Sequence, residues 1–226
     1  MSSVRCGVSG MLSAPRLAWL IVVTIVGGLL ADSRAGAWGQ PLVSLWVWGL
    51  FGWLLWREQE LRPRLLACLG IATAGELVLS LWWGLYDYRL GNLPLFVPPG
   101  HVLLYWLGLF LAARLPAWLL VWGPRLAVAA VSALALAGLD WLGPPLVLLF
   151  LLCVRRGPAP DLYVTMFLLS LLMELWGTWL GCWSWQAFAP GLGWPVANPP
   201  LAAGAFYCVL DLLSDAAYSR RRLRTA

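Results

Sequence analysis

The chain has no lysine, and all fifteen of its basic residues are arginine. Charge of either sign is scarce. Only 11% of the 226 residues are charged, against 62% hydrophobic, and the mean hydropathy is +0.80. Soluble domains carry about 25% charged residues, so this composition excludes a globule that covers itself in water. A single histidine, His101, excludes a multi-histidine metal centre. The five cysteines (Cys6, Cys68, Cys153, Cys182, Cys208) include no C-x-x-C pair, which removes zinc-ribbon and thiol-redox readings. There is no P-loop, dinucleotide glycine motif, HExxH or Ser-His-Asp set. No pattern asks for a metal or a cofactor. The net charge of +5 is not a nucleic-acid footprint, because the arginines stand at the ends of apolar runs.

What is abundant is long apolar sequence and tryptophan, seventeen residues of it. A helix needs roughly 20 apolar residues to cross a bilayer. Candidate spans are 17–31, 39–56, 64–85, 98–113, a run within 116–139, a short run 143–154, 162–183 and 199–217. The fifth is interrupted by Arg125 and the sixth is short, so the count lies between six and eight, and eight is preferred. Arg5, Arg16, Arg57, Arg62, Arg64, Arg114, Arg155, Arg156 and the terminal arginines then share one side, and Arg34 and Arg89 lie on the other. By the positive-inside rule both termini are cytoplasmic. Arg5, Arg16, the run 17–30 and Ala35-Gly36-Ala37 together resemble a cleaved signal. The long stretch before the run, and the need of the first half for a fourth helix, favour a retained span. The fold class expected is an all-α polytopic membrane bundle. Replacement of lysine by arginine, with abundant Ala, Gly, Leu, Pro and Trp, suits a GC-rich bacterial genome and hence the inner membrane.

The two halves resemble one another. Glu76, Gly84, Tyr86-Asp87-Tyr88, Pro94, Pro98-Pro99-Gly100 and Tyr105 are followed by Glu174, Gly181, Trp183-Ser184-Trp185, Pro195, Pro199-Pro200, Gly204 and Tyr207. The offset is 98 at the glutamates and 97 at the aromatic pairs. The chain therefore reads as two four-helix repeats, 1–114 and 115–226. Four spans per half give both copies one orientation, a parallel repeat about an axis along the membrane normal. The outward loops after the third and seventh spans are aromatic and proline-rich, and read as interfacial segments folded back on the bundle.

Glu76 and Glu174 carry the chemistry in this reading. Each lies roughly 10–12 Å below the outer end of its helix at 1.5 Å per residue. An intramembrane carboxylate is costly and marks a functional site, and two of them can serve as general acid and base. Asp211 is the third intramembrane acid, four residues after Tyr207 on one helix face, so the two can hydrogen-bond. His101, in the first turn of the fourth span, either relays protons or caps the loop. Asn198 precedes Pro199-Pro200 and is placed to cap the eighth helix. Tyr86, Tyr88, Trp183, Trp185, Asn198 and Tyr207 are the candidate substrate wall.

Glu174, Gly177, Gly181, Trp183, Trp185 and Pro195 follow the order of a motif that resembles membrane-embedded carotenoid hydratases, without that family's phenylalanine-glycine before the aromatic pair. The layout is also similar to small membrane terpene and carotene cyclases, which protonate an olefin or epoxide with buried carboxylates. Val97-Pro98-Pro99-Gly100-His101 resembles segments of uncharacterised bacterial membrane proteins. The resemblance implies proton chemistry on an apolar isoprenoid or carotenoid-type lipid. The other class left open is a non-enzymatic membrane protein, either a proton-coupled carrier or a subunit of a membrane complex. The partners expected are membrane lipids, an apolar lipid substrate and a homo-oligomeric or complex partner, with no nucleic acid.

Overall fold

The computed structural model describes residues 13–225, so Arg5 and Cys6 lie outside the described residues. Eight α-helices follow one another: α1 Ala14–Arg34, α2 Gly39–Arg57, α3 Arg62–Glu76, α4 Val97–Ala112, α5 Ala117–Leu136, α6 Gly143–Arg156, α7 Pro160–Trp179 and α8 Gly204–Thr225. A 3₁₀ turn, Gly36–Trp38, joins α1 to α2, and α3 continues through a π-helical turn, Leu77–Trp82. Among the described residues four helices are long and apolar enough to cross a membrane: α1, α3 with its π turn, α5 and α7. α4 is a shorter apolar helix. Proline occupies the first turn of α1, α3, α4, α6 and α7, where its missing N–H has no helical partner to lose. Arginine closes α1, α2 and α6, facing the negative end of each helix dipole.

α3, α4, α7 and α8 form the centre of the bundle, each packed on two of the others. α1 and α2 pack against each other and against α4, while α5 and α6 pack against each other and against α7. α6 also lies along α8. Close packing is secured by absent side chains. A Cβ on Gly108 of α4 would run into Met166 of α7, and one on Gly204 would stand 2.7 Å from the Phe167 carbonyl.

The loops after α3 and α7 hold strands that the apolar pattern does not announce. β1 Tyr86–Tyr88 pairs antiparallel with β2 Trp183–Trp185, in the register Tyr86↔Trp185, Asp87↔Ser184, Tyr88↔Trp183. β3 Phe188–Ala189 pairs with β4 Trp194–Pro195. The expected seventh span 162–183 therefore stops at Trp179, and Trp183 belongs to a strand. The eighth helix also begins later than expected, at Gly204 and not 199. Asn198 does not cap it. Its Oδ1 accepts the Trp185 N–H at 3.0 Å and its Nδ2 donates to Ser184 Oγ at 3.3 Å, so it closes β2 and is not available as a helix cap.

Candidate functional site

The site grows from one local device, used twice. A helix carries a buried glutamate, ends on a glycine, and returns as a three-residue strand. Gly84 and Gly181 have φ of 71° and 72°, the left-handed conformation that a side chain disfavours. At the end of α7 the Cys182 N–H reaches the Gly177 carbonyl and the Gly181 N–H reaches that of Thr178, which closes the helix on its own last carbonyls. In the strand that follows, side chains alternate between faces, so both aromatics of an aromatic-x-aromatic triplet point back at the helix they came from.

Both return to the glutamate of that helix. Tyr86 and Tyr88 donate their hydroxyls to Glu76 Oε2 at 2.9 and 2.7 Å. Trp183 and Trp185 donate their indole N–H groups to Glu174 Oε2 at 2.8 and 3.1 Å. Each glutamate is 6% exposed. Burial, with Glu76 alongside, pushes the phenols of Tyr86 and Tyr88 well above their ordinary range, so both remain donors at any physiological pH.

The β1–β2 ladder joins the two devices. Arg89 N–H bonds to the Cys182 carbonyl and Gln186 N–H to that of Leu85. Hydrogen-bonded and non-hydrogen-bonded pairs alternate along such a ladder, which makes 86/185 and 88/183 the pairs whose side chains stand closest. Their rings meet at centroid distances of 4.7 and 6.1 Å. Two tyrosines and two tryptophans thus form one aromatic plate over two carboxyls.

Below the plate is a cavity of about 550 Å³, lined by both glutamates, all four ring residues, His101 and Tyr207. The remaining wall is mostly aliphatic, with Val43, Val47, Leu79 and Leu210 among its members. Val78 and Leu213 line it as well and are about half exposed, so the cavity meets the apolar outer surface of the bundle. His101 Nδ1 lies 2.9 Å from the Val97 carbonyl, an acceptor only, so this nitrogen carries a hydrogen. Its Nε2 faces Glu76 Oε1 at 3.5 Å, and its ring stacks on Tyr207 at 5.0 Å and 9°. Tyr207 in turn interacts with Glu174.

The structure brings together Glu76, Glu174, His101, Tyr86, Tyr88, Trp183, Trp185 and Tyr207. It leaves two candidates outside. Asn198 touches the back of β2. Asp211 does not line the cavity, and neither of its oxygens has a protein hydrogen-bond partner among the described residues, so the expected bond to Tyr207 is not made. Tyr207 is turned instead to His101 and Glu174.

Sequence reasoning missed a latch beside the site. Arg89, at the end of β1, donates to the Asp32 carboxylate at 2.9 Å and to its carbonyl at 2.6 Å, tying the plate to α1. An acid near the outer end of an apolar helix was the available signal. Among the described residues no group of three or more His, Cys, Asp or Glu is placed to hold a metal ion. No protein-family model, curated protein or solved structure matches this chain.

Proposed function

We propose that this chain is a multi-pass enzyme of the bacterial inner membrane that transfers protons to and from an apolar, isoprenoid-type lipid, with Glu76 and Glu174 as its acid–base pair. The observation that carries the reading is the shared, mostly apolar cavity with one carboxyl from each half, each holding two donors on its Oε2. Oε2 of either glutamate already accepts two hydrogen bonds, which uses both its lone pairs. A transferable proton therefore rides on Oε1, the oxygen that in Glu76 faces His101. In a protonation step the π pair of a carbon–carbon double bond takes that proton and leaves a carbocation. The other carboxylate removes a proton from a neighbouring carbon and restores a double bond. The sum is an isomerisation or a cyclisation with no redox change. Four electron-rich rings beside the cavity suit a developing cation.

The topology we attach to this function is eight crossings, with both ends cytoplasmic and two parallel repeats. It is supported by the arginine distribution and by the antiparallel β1–β2 register. A two-fold axis through the Asp87↔Ser184 pair exchanges Tyr86 with Trp183, Tyr88 with Trp185 and Glu76 with Glu174. The extra residue of the first copy is also accounted for, because a π turn is an α-helix with one residue inserted. The turn Leu77–Trp82 lies between Glu76 and Gly84, where the offset between copies changes from 98 to 97.

The test is mass spectrometry of organic extracts from cells with the gene, without it, and with Glu76→Gln or Glu174→Gln. The expected result is an altered isoprenoid pool that either substitution restores to the gene-free pattern. An unchanged pool with the protein present in the membrane overturns the enzyme reading and favours a proton-coupled carrier or a subunit of a membrane complex.

A further inference from the structure

Acid–base chemistry of this kind leaves its two carboxyls in exchanged states. One has lost a proton and the other has gained one, so the pair must be reset between turnovers, and a link to bulk water is one route by which its proton content is set. Apart from the site residues the cavity's wall is mostly aliphatic, and one end is closed by the aromatic plate. The α8 helix carries the groups that are left. Tyr207, Asp211 and Asp215 follow one another at four-residue spacing, which puts them on one face about 6 Å apart along the axis. The top of this column is the cavity residue that stacks on His101 and interacts with Glu174. Its foot is at the arginine-rich end of the bundle. There Asp215 is bound by Arg64 of α3, Nε to Oδ1 at 2.5 Å, and accepts the hydroxyl of Tyr105 of α4 at 2.8 Å.

The middle member is the one that no packing argument explains. Asp211 is 0% exposed and its two oxygens have no protein partner among the described residues. Removing a carboxylate from water without such a partner is expensive, and a structural role would have supplied donors. Asp215, on the same helix as Asp211, supplies the contrast, with three donor contacts from Arg64 of α3 and Tyr105 of α4. Besides Asp215 and Tyr207, the charged and titratable groups that act on Asp211 are Arg64 and Cys68 of α3, Tyr105 of α4, Cys153 of α6, Tyr163 of α7 and Cys208. Only Arg64 among them is a cation, and it is already held by Asp215.

We infer that Asp215, Asp211 and Tyr207 form a proton path along α8, connecting the glutamate cavity to water at the arginine-rich end. Asp211 accepts a proton from the Asp215 side on one oxygen and releases one toward Tyr207 from the other. The inference rests on the glutamates being the proton-transfer site, but it concerns the supply of protons and not what they are used for.

The experiment reads proton arrival without any substrate. Protein in lipid nanodiscs is taken by stopped flow from neutral pH to a pH where the carboxylic-acid band of the glutamates has appeared, and that band is followed by infrared absorption. Glu76→Gln and Glu174→Gln identify the band. Asp211→Asn should slow its appearance by on the order of 10²-fold, with final amplitude and thermal melting unchanged. Tyr207→Phe, which keeps the ring stack, should slow it as well, and Asp211→Glu should restore most of the rate. Ser184→Ala at the outer face should leave the rate alone. Arrival at the wild-type rate in a folded Asp211→Asn protein overturns the path, as does slowing by Ser184→Ala alone, which would place entry at the plate. A negative lipid screen leaves this measurement intact, so the two readings fail separately.

Discussion

At the scale of single residues, the site is defined by who donates to whom. Tyr88→Phe takes one of two donors from Glu76 and leaves the ring in place. A hydrogen bond of this kind contributes about 0.5–1.5 kcal/mol net, and the variant should lose about that much in an unfolding titration. A loss under 0.5 kcal/mol would mean that Tyr86 alone satisfies the carboxyl. Cys182 tests the ground under the plate. Burial, with Asp32 beside it, pushes its thiol up to about 12. It should stay neutral and unlabelled by maleimide near pH 7.5 until the protein unfolds. Labelling of the folded protein at Cys182 would show that the plate opens. Asp140 lies between α5 and α6, where its Oδ1 accepts the Gly143 N–H at 3.0 Å and caps α6. It is fully buried, and burial raises its carboxyl above the ordinary range. The folded state then binds the proton more tightly than the unfolded chain. Its contribution is complete below the unfolded value of about 3.9 and is lost as pH rises through the folded value. Asp140→Asn, which can still cap, should gain in melting temperature relative to wild type as pH is raised across that window. A difference that does not vary with pH would contradict the shift.

At the scale of elements, the feature to test is the π turn. If Leu77–Trp82 is an α-helix plus one residue, deleting the half-exposed Leu81 should leave Glu76 and Gly84 in the phase that Glu174 and Gly181 have. β1 would then still meet β2, and Asp87→Cys with Ser184→Cys should still cross-link on oxidation. Deleting Leu175 from the regular helix α7 should turn Trp183 and Trp185 by about 100° (one residue of a 3.6-residue turn) and abolish the cross-link. Helix glycines separate in the same way. A Cβ at Gly177 would run into the Trp183 indole, whereas Gly75 has open space around it. Gly177→Ala should cost about 1–3 kcal/mol by overpacking, and Gly75→Ala should be neutral or mildly stabilising.

Much of this was legible at the element scale because it is local. Apolar runs, an intramembrane acid, a glycine after it and a period-two aromatic triplet are all within a dozen residues of one another, and their order survives in the fold. The β1–β2 ladder was not legible. Two three-residue strands carry no pattern of their own, and their pairing is decided by how α3 and α7 dock. Asn198 was misread for the same reason, since the group that claims its side chain is thirteen residues earlier in sequence and on another element. The Asp32–Arg89 latch spans 57 residues, and nothing near either residue names its partner.

At the scale of the whole molecule, the latch and the ladder decide whether the cavity is closed. Arg89→Ala leaves the Asp32 side chain, 1% exposed, without its cation. Breaking a buried pair by removing one member costs about 3–5 kcal/mol, and replacing both residues by alanine should recover part of it. Denaturation of the two variants in the same detergent checks this. Equal losses would mean that the pair contributes through packing alone.

The β1–β2 ladder has a consequence for how the chain is made. Tyr86 leaves the ribosome 99 residues before the residue that will face it, Trp185. Until then the first half has an insertion problem that it cannot solve alone, with an open strand edge and only its own side of the cavity in place. The second half meets its counterpart already waiting. Cut between α4 and α5 and coexpressed, the halves should find each other in the membrane. Expressed alone, the first half should be held by chaperones or degraded, because in biosynthetic terms it is a client of the second.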